Sequence, residues 1–426
     1  MHYTQNERIA QVGNNTLVVG IDIGSRQNYA RAFTERGMEL SRKAFMFENS
    51  MSGFEALNCW MTKFQQEQRK DKIMIGFEPT GHYWFPLGHY LKERGIEFVI
   101  VAPQHVKHSK EMDDNTQRKD DRKDPRVIAK LVTEGRYSIP YLPEGPYAEL
   151  RVLYDRRCEL AEQQTRVLNR IARWFDIYFP EYRKVYGKTN AVSGMMILRR
   201  APLPKDIVAL DTAGVNKIWR DAKLKGVGIK RAEALVAAAK DSVGIDGSYA
   251  ARLELWQLLD ECEFISEQME KLMEGIDEVL ASLPEAAKIM KISGIGTVIA
   301  AGLLSEIGDI RRFSNPKQIQ KLAGLAVVEN SSGQYKGRST ISRRGRKRLR
   351  KILFQAVMVL VGHDAAFCCL HQYYTTRKEN PLKKLQSLMA LAGKLIRVIF
   401  GMIKTGRDYD PEKMLCDIKR MKVVAA

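Results

Sequence analysis

Apolar and polar positions divide this chain into three textures. From residue 16 to about 140, short apolar runs alternate with amphipathic stretches. Leu17-Val18-Val19-Gly20-Ile21-Asp22 is a buried-strand pattern that ends in an acid. Residues 28–34 and 39–47 read as two further strands joined by a turn at Arg36-Gly37, and residues 53–66 have helical spacing. Lys72 to Glu78 is a third apolar strand, again ending in an acid, followed by a helix over 83–94 and the strand Glu97-Phe98-Val99-Ile100-Val101. Strands first, then β-α-β alternation, predict an α/β domain over residues 1–143 with a mixed sheet and helices on its faces.

Residues 144–283 form the second texture, almost wholly helical. Leu153, Leu160, Val167 and Trp174 recur every seven residues. Leu255, Leu258, Cys262, Ile265, Met269, Leu272, Ile276 and Val279 alternate steps of three and four. A 3.5-residue period keeps one stripe facing a partner helix, so this is the pattern of a coiled-coil seam. The partner is either the 147–178 helix of the same chain or a second protomer. The third texture is an all-α reading with loops: a domain over 284–375 and a helical tail over 376–426, whose first helix spans 383–404. Two G-x-G loops lead into helices, Gly226-Val227-Gly228 and Gly294-Ile295-Gly296. Such a loop either presents backbone N–H groups to a phosphate or is a helix-packing turn.

Charge adds a partner to this picture. The 426 residues hold 69 Lys and Arg against 50 Asp and Glu, a formal net charge of +19. An excess of that size points to a polyanion, most simply nucleic acid. Hydrophobic residues at 45% rule out wholesale disorder. No apolar run reaches the roughly 18–20 residues of a membrane span, and the N-terminus lacks the pattern of a signal peptide, so the expected location is cytoplasmic. The six cysteines form no C-x-x-C pair, which argues against a zinc ribbon or a disulfide framework.

The chemistry is carried by acids and a serine. Asp22 and Glu78 end apolar strands, and Asp121 and Asp124 are three residues apart, on one face if their run is helical. Carboxylates converging on a sheet edge repel unless a cation neutralises them. Two Mg²⁺ ions held this way suit phosphoryl transfer. The plainer alternative is solvated strand ends, with Asp124 as an N-cap before Pro125. Asp120 competes with Asp121, and Asp113 and Asp114 compete more weakly. His105 and His108 suit an exposed or nucleic-acid-facing role better than a metal site.

Lys336 to Lys351 holds nine Lys or Arg and no acid: Lys336, Arg338, Arg343, Arg344, Arg346, Lys347, Arg348, Arg350 and Lys351. Such density suits a phosphate backbone. Just before it, Ser331 and Ser332 lie in Asn330-Ser331-Ser332-Gly333. A hydroxyl there is a turn residue or, with a base or metal to activate it, a nucleophile.

Taken together these segments resemble the DEDD transposases of insertion-sequence family one hundred and ten, the bridge-RNA-guided recombinases. The resemblance covers residues 16–135 and 284–360. It rests on Gly20-Ile21-Asp22, Phe77-Glu78-Pro79-Thr80-Gly81 and Lys119-Asp120-Asp121-Arg122-Lys123-Asp124, then on Gly294-Ile295-Gly296, Ala323-Gly324-Leu325, Asn330-Ser331-Ser332-Gly333 and Ile341-Ser342-Arg343-Arg344-Gly345. It implies an RNase H-like fold of the RuvC type, with Asp22, Glu78, Asp121 and Asp124 as catalytic metal ligands for Mg²⁺, two ions in all. It implies a serine nucleophile, Ser332 with Ser331 as alternative, that forms a phosphoserine link to DNA. It also implies a noncoding guide RNA paired with donor and target DNA, and a homodimer that becomes a tetramer in synapsis. Nucleic-acid contacts are expected from Lys336, Arg338, Arg343, Arg344, Arg346, Lys347, Arg348, Arg350, Gly294 and Gly296. The competing functions are a junction-resolving endonuclease that uses the same acids with water, and a non-catalytic nucleic-acid scaffold.

Overall fold

A computed structural model of the chain describes residues 4–113, 124–328, 331–332, 335–336 and 340–424, with only the backbone described at residues 112–113, 331–332, 335–336, 417 and 419–424. The chain divides into two compact units, residues 1–142 and 143–426.

The first unit is built on β1 (Thr16–Ile23), β2 (Gln27–Phe33), β3 (Phe45–Glu48), β4 (Lys72–Phe77) and β5 (Glu97–Ile100), in the sheet order β3-β2-β1-β4-β5. β1 pairs antiparallel with β2 and parallel with β4, and β4 pairs parallel with β5. The run Leu17-Val18-Val19 and Ile21 are fully buried because β1 is central and covered on both faces. One face packs on the helices Met51–Glu67 and Trp84–Glu93 through Leu57, Met61, Leu87 and Leu91. The other packs on the helix Asp124–Thr133 through Ile128 and Val132, with Val106 of the helix Pro103–Asp113 beside them. The second predicted strand of the opening hairpin is shorter than its pattern. Only Phe45–Glu48 pairs with β2, and Glu39 makes a single bridge to Phe33. This five-stranded mixed sheet with helices on both faces is the α/β arrangement expected from the alternating pattern.

The second unit is helical. Two 33-residue helices, Pro146–Tyr178 and Tyr249–Ala281, pack along each other. The heptad positions Leu160, Val167 and Trp174 face Leu255, Leu258, Cys262 and Ile265 in one core, completed by Ile197, Trp219 and Leu235. Leu150, Tyr154, Ile276 and Leu280 belong to a second core with the helices Thr297–Ile307, Lys347–His363 and Lys384–Thr405. The seam is therefore filled by the chain's own helix. The helix pair is a beam whose two ends sit in different cores.

The segments 284–375 and 376–426, separate in sequence texture, share that second core. Lys384–Thr405 has the length and hydropathy of a membrane span, although charges divide it into shorter apolar runs. Its Leu391, Leu395, Ile399 and Met402 are buried in the core, and Lys394 and Arg397 interrupt it.

Candidate functional site

Two glycines create the acidic site. Gly20 of β1 lies opposite Gly76 of β4 in the parallel register. A Cβ on Gly20 would come within 1.9 Å of the Pro125 carbonyl oxygen, and one on Gly76 within 2.4 Å of a Val132 methyl. Glycine at Gly20 lets the first turn of the Asp124–Thr133 helix press onto β1, and glycine at Gly76 makes room on β4 for Ile128 and Val132 further along it. Side chains alternate along a strand, so Asp22 and Glu78, two residues past these glycines, are directed to the helix face. The same close approach brings Asp124, the first residue of the helix, to the strand ends. Pro125 falls in the first helical turn, where its missing N–H leaves nothing unsatisfied.

The electrostatics match this convergence. Burial pushes the Glu78 carboxyl above its usual range; the Lys110 ammonium pulls it back, and the Asp124 charge pushes it further up. Lys110, on the Pro103–Asp113 helix, forms an ion pair with Asp124, whose side chain is only 17% exposed. Asp22 is half-buried. Asp121 and Asp120 lie outside the described residues. Among the described residues, no three His, Cys, Asp or Glu side chains are close enough to hold one ion. The chemistry of the donors nevertheless suits a hard divalent cation: the carboxylate oxygens of Glu78 and Asp124, with Lys110 paired to the second. His105 is exposed, and His108 is exposed against Glu111 at 3.5 Å.

The serine segment is a ribbon. β6 (Val327–Val328) pairs with β9 (Thr340–Ile341), and β7 (Ser331–Ser332) pairs with β8 (Tyr335–Lys336), placing Ser332 opposite Tyr335. Both β6 valines are exposed, at 67% and 48%, so the ribbon is not packed into the core there. Its base is locked by backbone and by two arginines. The N–H groups of Ser342, Arg343 and Arg346 donate to the carbonyls of Ala326, Gly324 and Leu322 at 2.8, 3.0 and 2.7 Å. Arg350 Nη1 donates to the Ala323 carbonyl at 2.9 Å and the Arg343 carbonyl at 3.3 Å. Arg346 donates to the Glu306 carbonyl and lies 3.5 Å from the carboxylate of this buried glutamate.

These contacts sort the basic run. Arg346 and Arg350 hydrogen-bond within the ribbon base. Arg343, Arg344, Lys347, Arg348 and Lys351 are exposed, with Arg348 paired to Asp155. Arg343, Lys347, Arg348, Arg350 and Lys351 border a cleft of about 1090 Å³ between the ribbon base, the Lys347–His363 helix and the Pro146–Tyr178 helix. Arg157 joins them from the long helix, and Val298, Ile299 and Phe354 supply apolar wall. Arg338 lies outside the described residues. Gly294 has φ +95° and packs near Val359 and His363, while Gly296 is exposed at the start of Thr297–Ile307.

Sequence reasoning missed Lys110 and Arg157, which only tertiary structure brings to these sites. It also passed over a readable signal. Gly20-Ile21-Asp22 and Gly76-Phe77-Glu78 are the same pattern, glycine two residues before a strand-ending acid.

Two family models match the chain. One, described as a transposase and of the DEDD IS110 type, matches residues 19–180. The other, described as "Transposase IS116/IS110/IS902 family", matches residues 286–374. The chain is 23% identical to the uncharacterized 44.8 kDa protein of insertion element IS116 from Streptomyces clavuligerus, over 93% of this chain and 97% of that protein. It is 26% identical to the uncharacterized 43.6 kDa protein of insertion element IS110 from Streptomyces coelicolor, over 69% and 73%. It is 22% identical to the transposase for insertion sequence element IS1111A from Coxiella burnetii, over 74% and 73%.

Proposed function

Because this chain belongs to the IS116/IS110/IS902 family of transposases and acts on DNA, we propose that it is a site-specific recombinase that moves its own insertion sequence. The first unit is an RNase H-like domain of the RuvC type. Asp22, Glu78, Asp121 and Asp124 hold two Mg²⁺ ions, with Asp120 as the alternative to Asp121. Ions bound there would supply Lewis-acid stabilisation to the oxygens entering and leaving phosphorus. The strand ends fix Asp22 and Glu78, the first turn of the helix fixes Asp124, and Lys110 offsets the charge of Asp124.

Ser332 is the nucleophile, with Ser331 as the alternative. Its Oγ forms a bond to phosphorus, the bond from phosphorus to the leaving sugar oxygen breaks, and one proton leaves the hydroxyl as one reaches that oxygen. Attack by the incoming strand's hydroxyl reverses the step, so bond energy is conserved and no nucleotide cofactor is consumed. The cleft cations track the phosphate backbone. A noncoding guide RNA supplies sequence choice by pairing with donor and target DNA. The protein works in the cytoplasm of a prokaryote as a homodimer and pairs as a tetramer at synapsis.

What supports this reading most is the close approach of the Asp124–Thr133 helix to Gly20 and Gly76, with the Asp124 and Glu78 carboxylates within each other's electrostatic reach beside Lys110. Incubation of the protein with DNA spanning its element's ends, followed by denaturing electrophoresis, tests it. A covalent protein–DNA adduct is expected from the wild type and none from Ser332→Ala. Adduct undiminished in both Ser332→Ala and Ser331→Ala removes the serine, and cleaved ends that never carry protein favour the water-using endonuclease.

A further inference from the structure

The loop that follows Glu78 is pinned to it. The Thr80 N–H donates to the Glu78 carbonyl at 2.9 Å, the Tyr83 N–H to Thr80 at 3.3 Å, and the Phe85 N–H to His82 at 3.3 Å. Gly81, at φ +53°, makes the reversal. From the end of β3, Asn49 Nδ2 donates to the Tyr83 carbonyl at 3.2 Å. The loop therefore holds a set position at the strand end that carries Glu78.

The loop and the start of the helix Trp84–Glu93 carry four consecutive rings, His82-Tyr83-Trp84-Phe85. Trp84 does the core's work, buried with its centroid 5.7 Å from that of Phe77. The other three bury little. His82 is exposed, Tyr83 half-buried, and Phe85 49% exposed. The His82 and Tyr83 rings are 4.5 Å apart, and Phe85 is stacked on Trp84 at 4.5 Å and 26°. Single exposed aromatics need no explanation. Three at the junction of an anchored loop and a helix, a few residues after Glu78, each lean on a neighbouring ring, so less side-chain freedom is left to lose on binding.

We infer that His82, Tyr83 and Phe85 form a stacking platform for an unpaired nucleobase of the DNA strand whose phosphate is handled at Glu78. This rests on the reading of the carboxylate site given above. Strand exchange opens base pairs, and an opened base needs a new neighbour for its exposed face; aromatic rings supply one without regard to sequence. A base-paired duplex offers no such face, so the platform distinguishes opened from closed DNA.

The test uses the full-length protein and a forked DNA with oligothymidylate arms, in which thymines are replaced one at a time by 5-iodouracil. Long-wavelength irradiation joins that base to a stacked aromatic ring, and mass spectrometry locates the joined peptide. The expected adduct falls on His82, Tyr83 or Phe85. H82A/F85A, both at exposed positions, is expected to weaken fork binding by about tenfold or more and to leave binding of fully paired duplex unchanged. Adducts found only elsewhere, adducts formed only with single-stranded RNA of the same sequence, or equal losses for fork and duplex overturn the inference. Fork binding no tighter than duplex in the wild type does the same. Asp22→Asn separates the two readings: the adduct persists while strand cleavage is lost. Cleavage that survives Asp22→Asn sinks the carboxylate reading and leaves the platform standing.

Discussion

Gly20 has no room for a methyl group. The Pro125 carbonyl oxygen occupies the place a Cβ would take, and backbone cannot step aside as a flexible side chain can. Gly20→Ala is therefore expected to push the Asp124–Thr133 helix off the sheet. The cost is about 1–3 kcal/mol of stability by the usual scale of overpacking, and Asp124 is carried away from Asp22 and Glu78. Chemical denaturation and cleavage of element-end DNA should both register the change. Gly13→Ala, where the new Cβ would meet only the Asn15 side chain at 3.6 Å, is the matched control and should stay within about 0.5 kcal/mol.

The same residue shows how far a chain can be read without its fold. An acid after an apolar run is legible, because burial pattern and charge are local properties. The reason for the acid's position is legible too, once the glycine two residues earlier is noticed. Lys110 is not, since nothing in a solvated-looking helix says that its ammonium pairs with Asp124.

Among the elements, periodicity announces a helix and stays silent about what covers it. The stripe from Leu255 to Val279 demands a partner, and the 3.5-residue spacing is the same whether that partner is in the chain or outside it. The fold supplies Pro146–Tyr178, and polar pairs along the seam agree: Gln164 Nε2 donates to Ser266 Oγ at 3.3 Å, and Arg170 meets Glu261 at 3.1 Å.

A second tie holds the beam to the helix Pro204–Asp221. Arg252 donates from Nε and Nη2 to the two oxygens of Asp206, at 3.0 and 2.7 Å, and the Leu203 N–H donates to the same carboxylate at 3.1 Å. Burial opposes ionisation of Asp206, but the Arg252 bonds and the Leu203 N–H outweigh it and hold the carboxyl below its ordinary value of 3.8. A lowered carboxylate contributes stability that is present above its unfolded value and lost as the pH falls through the folded one. Arg252→Ala is thus expected to lower Tm at neutral pH by on the order of 2–4 °C. That deficit should shrink below pH 3.8, as followed by circular dichroism across a pH series. A deficit that stays constant down to pH 2 would show that packing, and not the ion pair, is what the arginine supplies.

In the whole molecule, charge and fold divide the labour unevenly. Residues 143–426 hold 48 Lys and Arg against 32 Asp and Glu, while residues 1–142 hold 21 against 18. The second unit therefore carries most of the net positive charge, and the first carries the proposed metal ligands. Density of positive charge in sequence does not say which cations are available, however. Within 343–351, Arg346 and Arg350 are committed to Glu306 and to the carbonyls of Ala323 and Arg343, whereas Lys347 and Lys351 stand exposed on the cleft.

The two kinds separate in a salt titration. Each phosphate contact releases counterions, so the slope of log K against log salt counts contacts. Lys347→Ala and Lys351→Ala should each flatten that slope by about one and leave Tm unchanged. Arg350→Ala should lower Tm, because two carbonyls at the ribbon base lose their donor, and its effect on affinity should follow the loosened ribbon and not a missing phosphate contact. Measuring duplex binding by fluorescence anisotropy from low to high salt, beside thermal melts of the same preparations, decides the matter. Should Arg350→Ala flatten the slope as Lys347→Ala does with its melting point intact, the guanidinium faces nucleic acid, and the ribbon base is held by backbone hydrogen bonds alone.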